Sequence, residues 1–205
     1  MSVYELHAKA NDYNGLQPPL EYRTTDFDLR FTGEPWGDTW VPLPVTTEHA
    51  HDGRRAKNRD GDFPSYHPAI PAVSERALDV LRPLLGDAVE VLPLEHPTAR
   101  YYILHVLQIL DCLDDEKSEG HRTSKGQLIT IEKCVWKPGV IDENTHIFKI
   151  KGLELSWPFV SEAFRRLVDE NGLIGFGFLE VGPDGTLRSV ARPEKERARS
   201  GRRKR

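Results

Sequence analysis

The chain has 205 residues, 38% of them hydrophobic, and its 28 Lys and Arg against 32 Asp and Glu give a net charge of −4. That length supports one substantial core and, on size alone, a single domain. No apolar run approaches the roughly 20 residues of a membrane-spanning helix. The opening Met1-Ser2-Val3-Tyr4-Glu5-Leu6-His7 has neither the basic nor the apolar region of a secretory signal, so the expected location is the cytoplasm, with no membrane partner.

The charge is unevenly distributed. From Arg192 onward eight basic residues (Arg192, Lys195, Arg197, Arg199, Arg202, Arg203, Lys204 and Arg205) face Glu194 and Glu196, so this stretch carries +6 and residues 1–191 carry −10. A body this acidic steers basic partners toward itself. The 192–205 stretch has no apolar periodicity and is expected to be a disordered basic tail behind a folded 1–191 domain.

The first seventy residues are rich in Pro, Gly, Trp and charge. Short apolar pieces at Phe27-Asp28-Leu29-Arg30-Phe31 and Trp40-Val41-Pro42-Leu43 suit edge strands and turns. Between Thr46 and Asp62 there is almost nothing to bury, which predicts an exposed loop. Regularity begins at Val73. Ser74 is a good N-cap, Val73 and Leu78 stand at hydrophobic-staple positions, and Ala77, Leu78, Leu81, Leu84 and Leu85 recur at helical spacing. Pro83 predicts a kink or a looser last turn before Gly86.

Val89 to Leu94 reads as a strand. Tyr101 to Leu110 (YYILHVLQIL) is apolar on both alternating faces, as in a central strand covered on both sides, although a buried helix has a similar pattern. Gln127 to Trp136 (QLITIEKCVW) and His146 to Lys151 predict further strands. A second helix runs from the Ser161 N-cap through Ala163, Phe164, Leu167 and Val168 to an Asn171-Gly172 C-cap. Leu173 to Val181 follows as a strand with Ile174, Phe176 and Phe178 on one face. Pro183-Asp184-Gly185 then turns the chain into a last strand over Thr186 to Ala191. The fold class expected is α+β, a largely antiparallel sheet with at least two helices. Val73-Ser74-Glu75 and Val160-Ser161-Glu162 open the helices alike, which raises the possibility of an internal helix-strand repeat.

Chemistry is sparse. His49-Ala50-His51-Asp52 could supply three ligands to a metal ion and so serve a hydrolase, but the stretch has the composition of a solvated loop. Cys112 and Cys134 have no C-x-x-C spacing and sit in apolar contexts, the pattern of inert buried thiols. Gly172-Leu173-Ile174-Gly175-Phe176-Gly177 lies between helix and strand, the reverse of a phosphate-binding turn. The basic tail could neutralise phosphates, yet the acidic body would repel the same polyanion, so nucleic acid is not the expected partner. Asp111, Asp114, Asp115, Glu116 and Glu119 form the densest acidic group. They suit a solvated surface or a docking patch for a basic protein better than metal binding or acid-base work. No catalytic residue, metal site or cofactor is expected.

Gly61-Asp62-Phe63-Pro64, Val73-Ser74-Glu75-Arg76-Ala77, Ile147-Phe148, and Val160-Ser161-Glu162 leading into Gly172-Leu173-Ile174-Gly175-Phe176 together resemble a family of bacterial immunity proteins. The resemblance spans roughly residues 60 to 181 and rests on order and spacing. It implies a non-enzymatic protein that binds and neutralises a cognate toxin of a polymorphic toxin system. Its family motifs carry over no contact residues, so the acidic group stands as the contact expected from charge and position.

Overall fold

Two serines start the helices. In the computed structural model, which describes residues 2–22, 27, 29–52, 55–56 and 58–189, Ser74 Oγ accepts from the Ala77 N–H at 3.1 Å and Ser161 Oγ from the Phe164 N–H at 3.2 Å. Each bond satisfies an amide that the first helical turn leaves open. The helices are α1 (Glu75–Leu85) and α2 (Glu162–Glu170). Pro83 is exposed and removes a single donor two residues before α1 ends, so the helix runs through it to the Gly86 C-cap.

The strands in the first part of the chain are β1 (Val3–Ala8), β2 (Gly15–Gln17), β3 (Leu43–Pro44), β4 (Thr46–Glu48), β5 (His51–Asp52), β6 (Arg55–Ala56) and β7 (Ala72–Ser74). After α1 come β8 (Val89–Glu95), β9 (Tyr101–Val106), β10 (Ile109–Leu110), β11 (Ile147–Ile150), β12 (Phe159–Ser161), β13 (Phe176–Val181) and β14 (Leu187–Ser189). One sheet has the order β10-β11-β12-β1-β13-β14 and a second β3-β8-β9-β7, beside the ribbons β2-β4 and β5-β6. Pairing is antiparallel except between β10 and β11 and between β3 and β8. This is an α+β domain of the expected class, its antiparallel pairing divided between two main sheets.

The two sheets share a motif. Strands β7 and β8 both run antiparallel to β9, which lies between them, and α1 connects them. In the same way β12 and β13 flank β1 and are connected by α2. The two Val-Ser-Glu sequences therefore occupy equivalent places, the end of a strand and the start of its crossover helix. The middle strand differs in origin: β9 follows its neighbour directly, whereas β1 comes from far upstream.

Alternation along β9 explains the layering. Leu104 and Val106 face a core built with α1, α2, β1 and Phe176, and the two helices touch. Tyr101 and Ile103 face a second core closed by Phe31, Leu43, Val45, Ile70 and the rings of Tyr22, Phe27, Trp36 and Trp40. A third core lies on the far face of the first sheet, where Val3, Phe148, Ile150 and Phe159 are covered by Cys112, Leu113, Leu128 and Cys134. Each sheet is thus packed on helices on one face and on irregular chain on the other.

Asp62 joins the two units. Its side chain is about 90% shielded, and its Oδ1 accepts from Ser74 Oγ at 2.9 Å while Oδ2 accepts from Arg76 Nη1 and from the Ile174 N–H, each at 2.9 Å. The backbone adds two more bonds, Asp62 N–H to Ile174 O at 2.8 Å and Ser74 N–H to Asp62 O at 2.9 Å. Arg76 reaches on to Asn171 O at 2.7 Å. Next in the chain, Phe63 stacks on Phe176 with ring centroids 4.6 Å apart. Gly175, at φ +95°, lets the backbone after α2 pass so close that a Cβ there would stand 2.9 Å from Phe63 O.

Of the edge strands and turns expected early in the chain, Leu29–Phe31 is a single 3-10 turn, which places Phe31 in the second core. Three expectations need correction. The Thr46 to Asp62 segment is not simply an exposed loop, because β4 pairs with β2, Ala50 is buried and its N–H donates to Asn14 Oδ1, and Asp62 is central to the packing. Tyr101 to Leu110 is doubly covered only as far as Val106. Leu107 and Gln108 then turn their amides to Ala88 O, and β10 joins the other sheet. Gln127 to Trp136 forms no strand but a folded-back cover held by isolated bridges, with Glu119 opposite Lys133 and Leu113 opposite Trp136. Gly120 permits this, since a Cβ there would meet Thr130 O at 2.0 Å.

Because Asp62 bonds to both units through a shielded charge, Asp62→Ala is expected to lower global stability by about 3 kcal/mol, and Asp62→Asn by less, since one acceptor oxygen remains. Urea unfolding measures both, and an Asp62→Ala midpoint equal to wild type would remove the carboxylate from its joining role.

Candidate partner-binding surface

The expected contact residues lie together on the lobe of residues 111–137 that covers the first sheet. The fold builds this lobe around two anchors. Ser118, buried, accepts from the Val135 N–H at 3.0 Å, and Arg122 donates to Asp115 O, Ser118 O and Gly126 O as well as to the Asp115 carboxylate.

Cations of the same lobe accompany the acidic group. Asp111 pairs with Lys137, Asp114 with Lys117 at 2.6 Å, Asp115 with Arg122 at 3.1 Å, and Glu119 with Lys133 at 2.7 Å. Glu116 is exposed beside Lys117. Lys137 holds the Asp111 carboxyl below the usual carboxylate range, and Lys117 does the same for Asp114. The signal was present, since Lys117, Arg122, Lys125, Lys133 and Lys137 all fall in the same stretch. The lobe is a mosaic of paired charges more than an acidic patch. Pairs this exposed contribute about 0–1 kcal/mol each, so they exchange partners readily.

The described surface includes two concavities. A groove of about 610 Å³ runs between Pro18 to Leu20, Pro44 to Thr46 and Glu95 to Pro97. A smaller pocket of about 220 Å³ lies where Thr130 and Ile131 of the lobe meet Glu5 of β1 and the Leu153 to Trp157 turn. Leu155, which lines this pocket, is 39% exposed, and Ile129, next in the chain to the lining residue Thr130, is 51% exposed.

The metal and nucleophile candidates fare differently. Among the described residues no group of three or more His, Cys, Asp and Glu could hold a metal ion. His49 is exposed, and the side chains of His51 and Asp52, on β5, lie outside the described residues, as does the basic tail 192–205. Burial pushes the Cys112 thiol up to about 11. Burial, with the Glu5 charge next in weight, pushes Cys134 up to about 12. Both are free and buried, so neither is a thiolate at neutral pH. No described helix is long and apolar enough to cross a membrane.

One buried polar group went unread. Lys149 on β11 is 1% exposed and donates to Phe31 O at 2.9 Å, tying the first sheet to the segment that covers the second. Nearby, Glu90 accepts from the Trp36 and Gly37 N–H groups and meets His105 Nδ1 at 3.0 Å. Burial draws the His105 imidazole down, against the pull of Glu90, and the Lys149 charge lowers it further. Burial raises Glu90, but its hydrogen-bond donors outweigh that and hold it below the ordinary range.

Desolvation lowers Lys149 to about 8. The unfolded chain holds this proton up to about pH 10.4, so between the two values this group's own contribution to folded-state stability rises with pH, by up to roughly 3 kcal/mol. Measured by urea unfolding, the stability of wild type relative to Lys149→Met should rise by up to that amount from about pH 7.5 to about pH 10.5, the buried thiols being common to both. A stability difference independent of pH would mean that the amine is solvated.

No curated protein matches the chain. The model of an immunity protein family (Imm11) matches residues 9–183, taking in both strand-helix-strand units, the Asp62 junction and the charged lobe. It reaches well upstream of the motifs that carry the resemblance in the sequence. The chain therefore belongs to the Imm11 immunity protein family.

Proposed function

We propose that the protein neutralises a cognate bacterial toxin by stoichiometric binding, without catalytic turnover, inside the cell that makes it. The observation that carries this reading is the family match over residues 9–183. The charge of residues 1–191 supports a basic partner, such as a toxin whose working surface binds nucleic acid, because an acidic inhibitor competes with phosphate for the same cations.

Asp111, Asp114, Asp115, Glu116 and Glu119 are proposed to form part of the contact. Their local pairs do not oppose this. An arriving cation can take a carboxylate from Lys117 or Lys133 at small cost, since exposed pairs are weak, and the displaced lysine returns to water. Charges of this kind act mainly on association rate and partner choice, so apolar contact must supply most of the affinity.

Co-expression with a toxin domain encoded in an adjacent reading frame should protect the host, and the purified pair should form a one-to-one complex by calorimetry. Changing Asp111, Asp114, Glu116 and Glu119 to lysine, with the Asp115 partner of Arg122 left in place and an unchanged unfolding midpoint, should lose protection and slow association by about tenfold or more at low salt. Unaltered protection by that variant removes the lobe from the contact, and a wild type that neither binds nor protects removes the function itself.

A further inference from the structure

The pocket between lobe and sheet combines features rarely found together on a solvated surface. Its floor is apolar and buried, made by Ile150, Leu153 and Phe159, and its walls are Ile131, Leu155 and Trp157. Into it comes the Glu5 carboxylate, whose side chain is 15% exposed. Among the described residues no lysine or arginine lines the pocket. Glu5 pairs there with the His7 imidazole, Nε2 to Oε2 at 3.0 Å, and His7 in turn leans on Trp157 with ring centroids 4.7 Å apart.

We infer that this pocket receives an arginine side chain displayed by the toxin, and that Glu5 is the group that recognises it. The inference rests on the proposed function. A carboxylate shielded by apolar walls is costly, and a guanidinium offsets that cost while its stem lies on Ile131 and Leu155. Arginine fits better than lysine: its planar fork bonds a carboxylate through two N–H groups, and its face stacks on an indole such as Trp157. A volume of about 220 Å³ is below the roughly 300 Å³ at which small-molecule sites begin. It suits one anchoring side chain. The 39% exposed Leu155, which lines the pocket, is the kind of apolar rim that keeps water from such an anchor. The body's negative charge draws a basic partner to this face as to the rest of the molecule.

The test uses the intact chain and two probes, N-acetylarginine methylamide and its uncharged isostere N-acetylcitrulline methylamide, followed by NMR. The arginine probe should shift the Trp157 indole N–H and the Ile131 and Leu155 methyls saturably. It should bind about tenfold more tightly than the citrulline probe, an advantage lost in Glu5→Gln. Equal binding of the two probes, an unchanged response in Glu5→Gln, or shifts confined to other residues would overturn the inference. A second arm measures binding of the adjacent-frame toxin domain. If wild type binds it, Glu5→Gln and Leu155→Arg, with unchanged unfolding midpoints, should each weaken binding about tenfold or more, and equal binding by both would overturn the pocket's role. If wild type does not bind, the function fails, and the probes alone decide the pocket.

Discussion

A shielded carboxylate with three donors on it leaves its neighbours little freedom, and Asp62 puts that constraint at the junction of the two halves of the fold. Its donors come from the cap and first turn of α1 on one side and from the backbone just after α2 on the other. The helices cannot slide past each other without breaking a charge-assisted bond in a poorly hydrated place. The Phe63–Phe176 stack and the close passage at Gly175 fix the same junction sterically. With the helix faces of both sheets held this way, their outer faces are left to be covered by chain with no regular structure. The candidate binding features all occur there.

This division also explains what could be read in advance. The helices were legible because caps and apolar spacing are local properties, and Ser74 and Ser161 act as their sequence predicts. Strands β8, β11, β13 and β14 were legible for the same reason. Gln127 to Trp136 was not, because an irregular segment over a sheet also turns every few residues inward. Leu128 and Cys134 are buried as they would be in a strand, without a strand's hydrogen bonds. Asp62 ends a stretch that reads as an exposed loop, and nothing nearby in the chain reveals that its partners are at 74, 76 and 174. Lys149 was hidden by the rule that lysines face water, which its carbonyl acceptor at Phe31 overrides.

The acidic group teaches a related lesson. Density of one charge along the sequence was visible, but the field it makes depends on cations folded against it. Lys133 and Lys137 reach Glu119 and Asp111 only because the lobe doubles back on itself. Glu5, by contrast, is a single acid in an alternating strand and attracts no notice in the sequence. It becomes distinctive through what surrounds it, since β1 presents it opposite Phe159 on the face that the lobe leaves partly uncovered.

The mixed origin of the middle strands bears on how the protein is made. The unit around β9 is nearly contiguous, from β7 to the end of β9, and can close as soon as that stretch leaves the ribosome. Strand β1 is synthesised early but has neither neighbour until β12 and β13 exist. At about 5–20 residues per second, that is a wait on the order of ten seconds. During it, an apolar strand bearing Glu5 waits unpaired. The pocket takes Glu5 from the start of this interval and Leu153 to Phe159 from late in it, so a chain interrupted before β12 has no pocket.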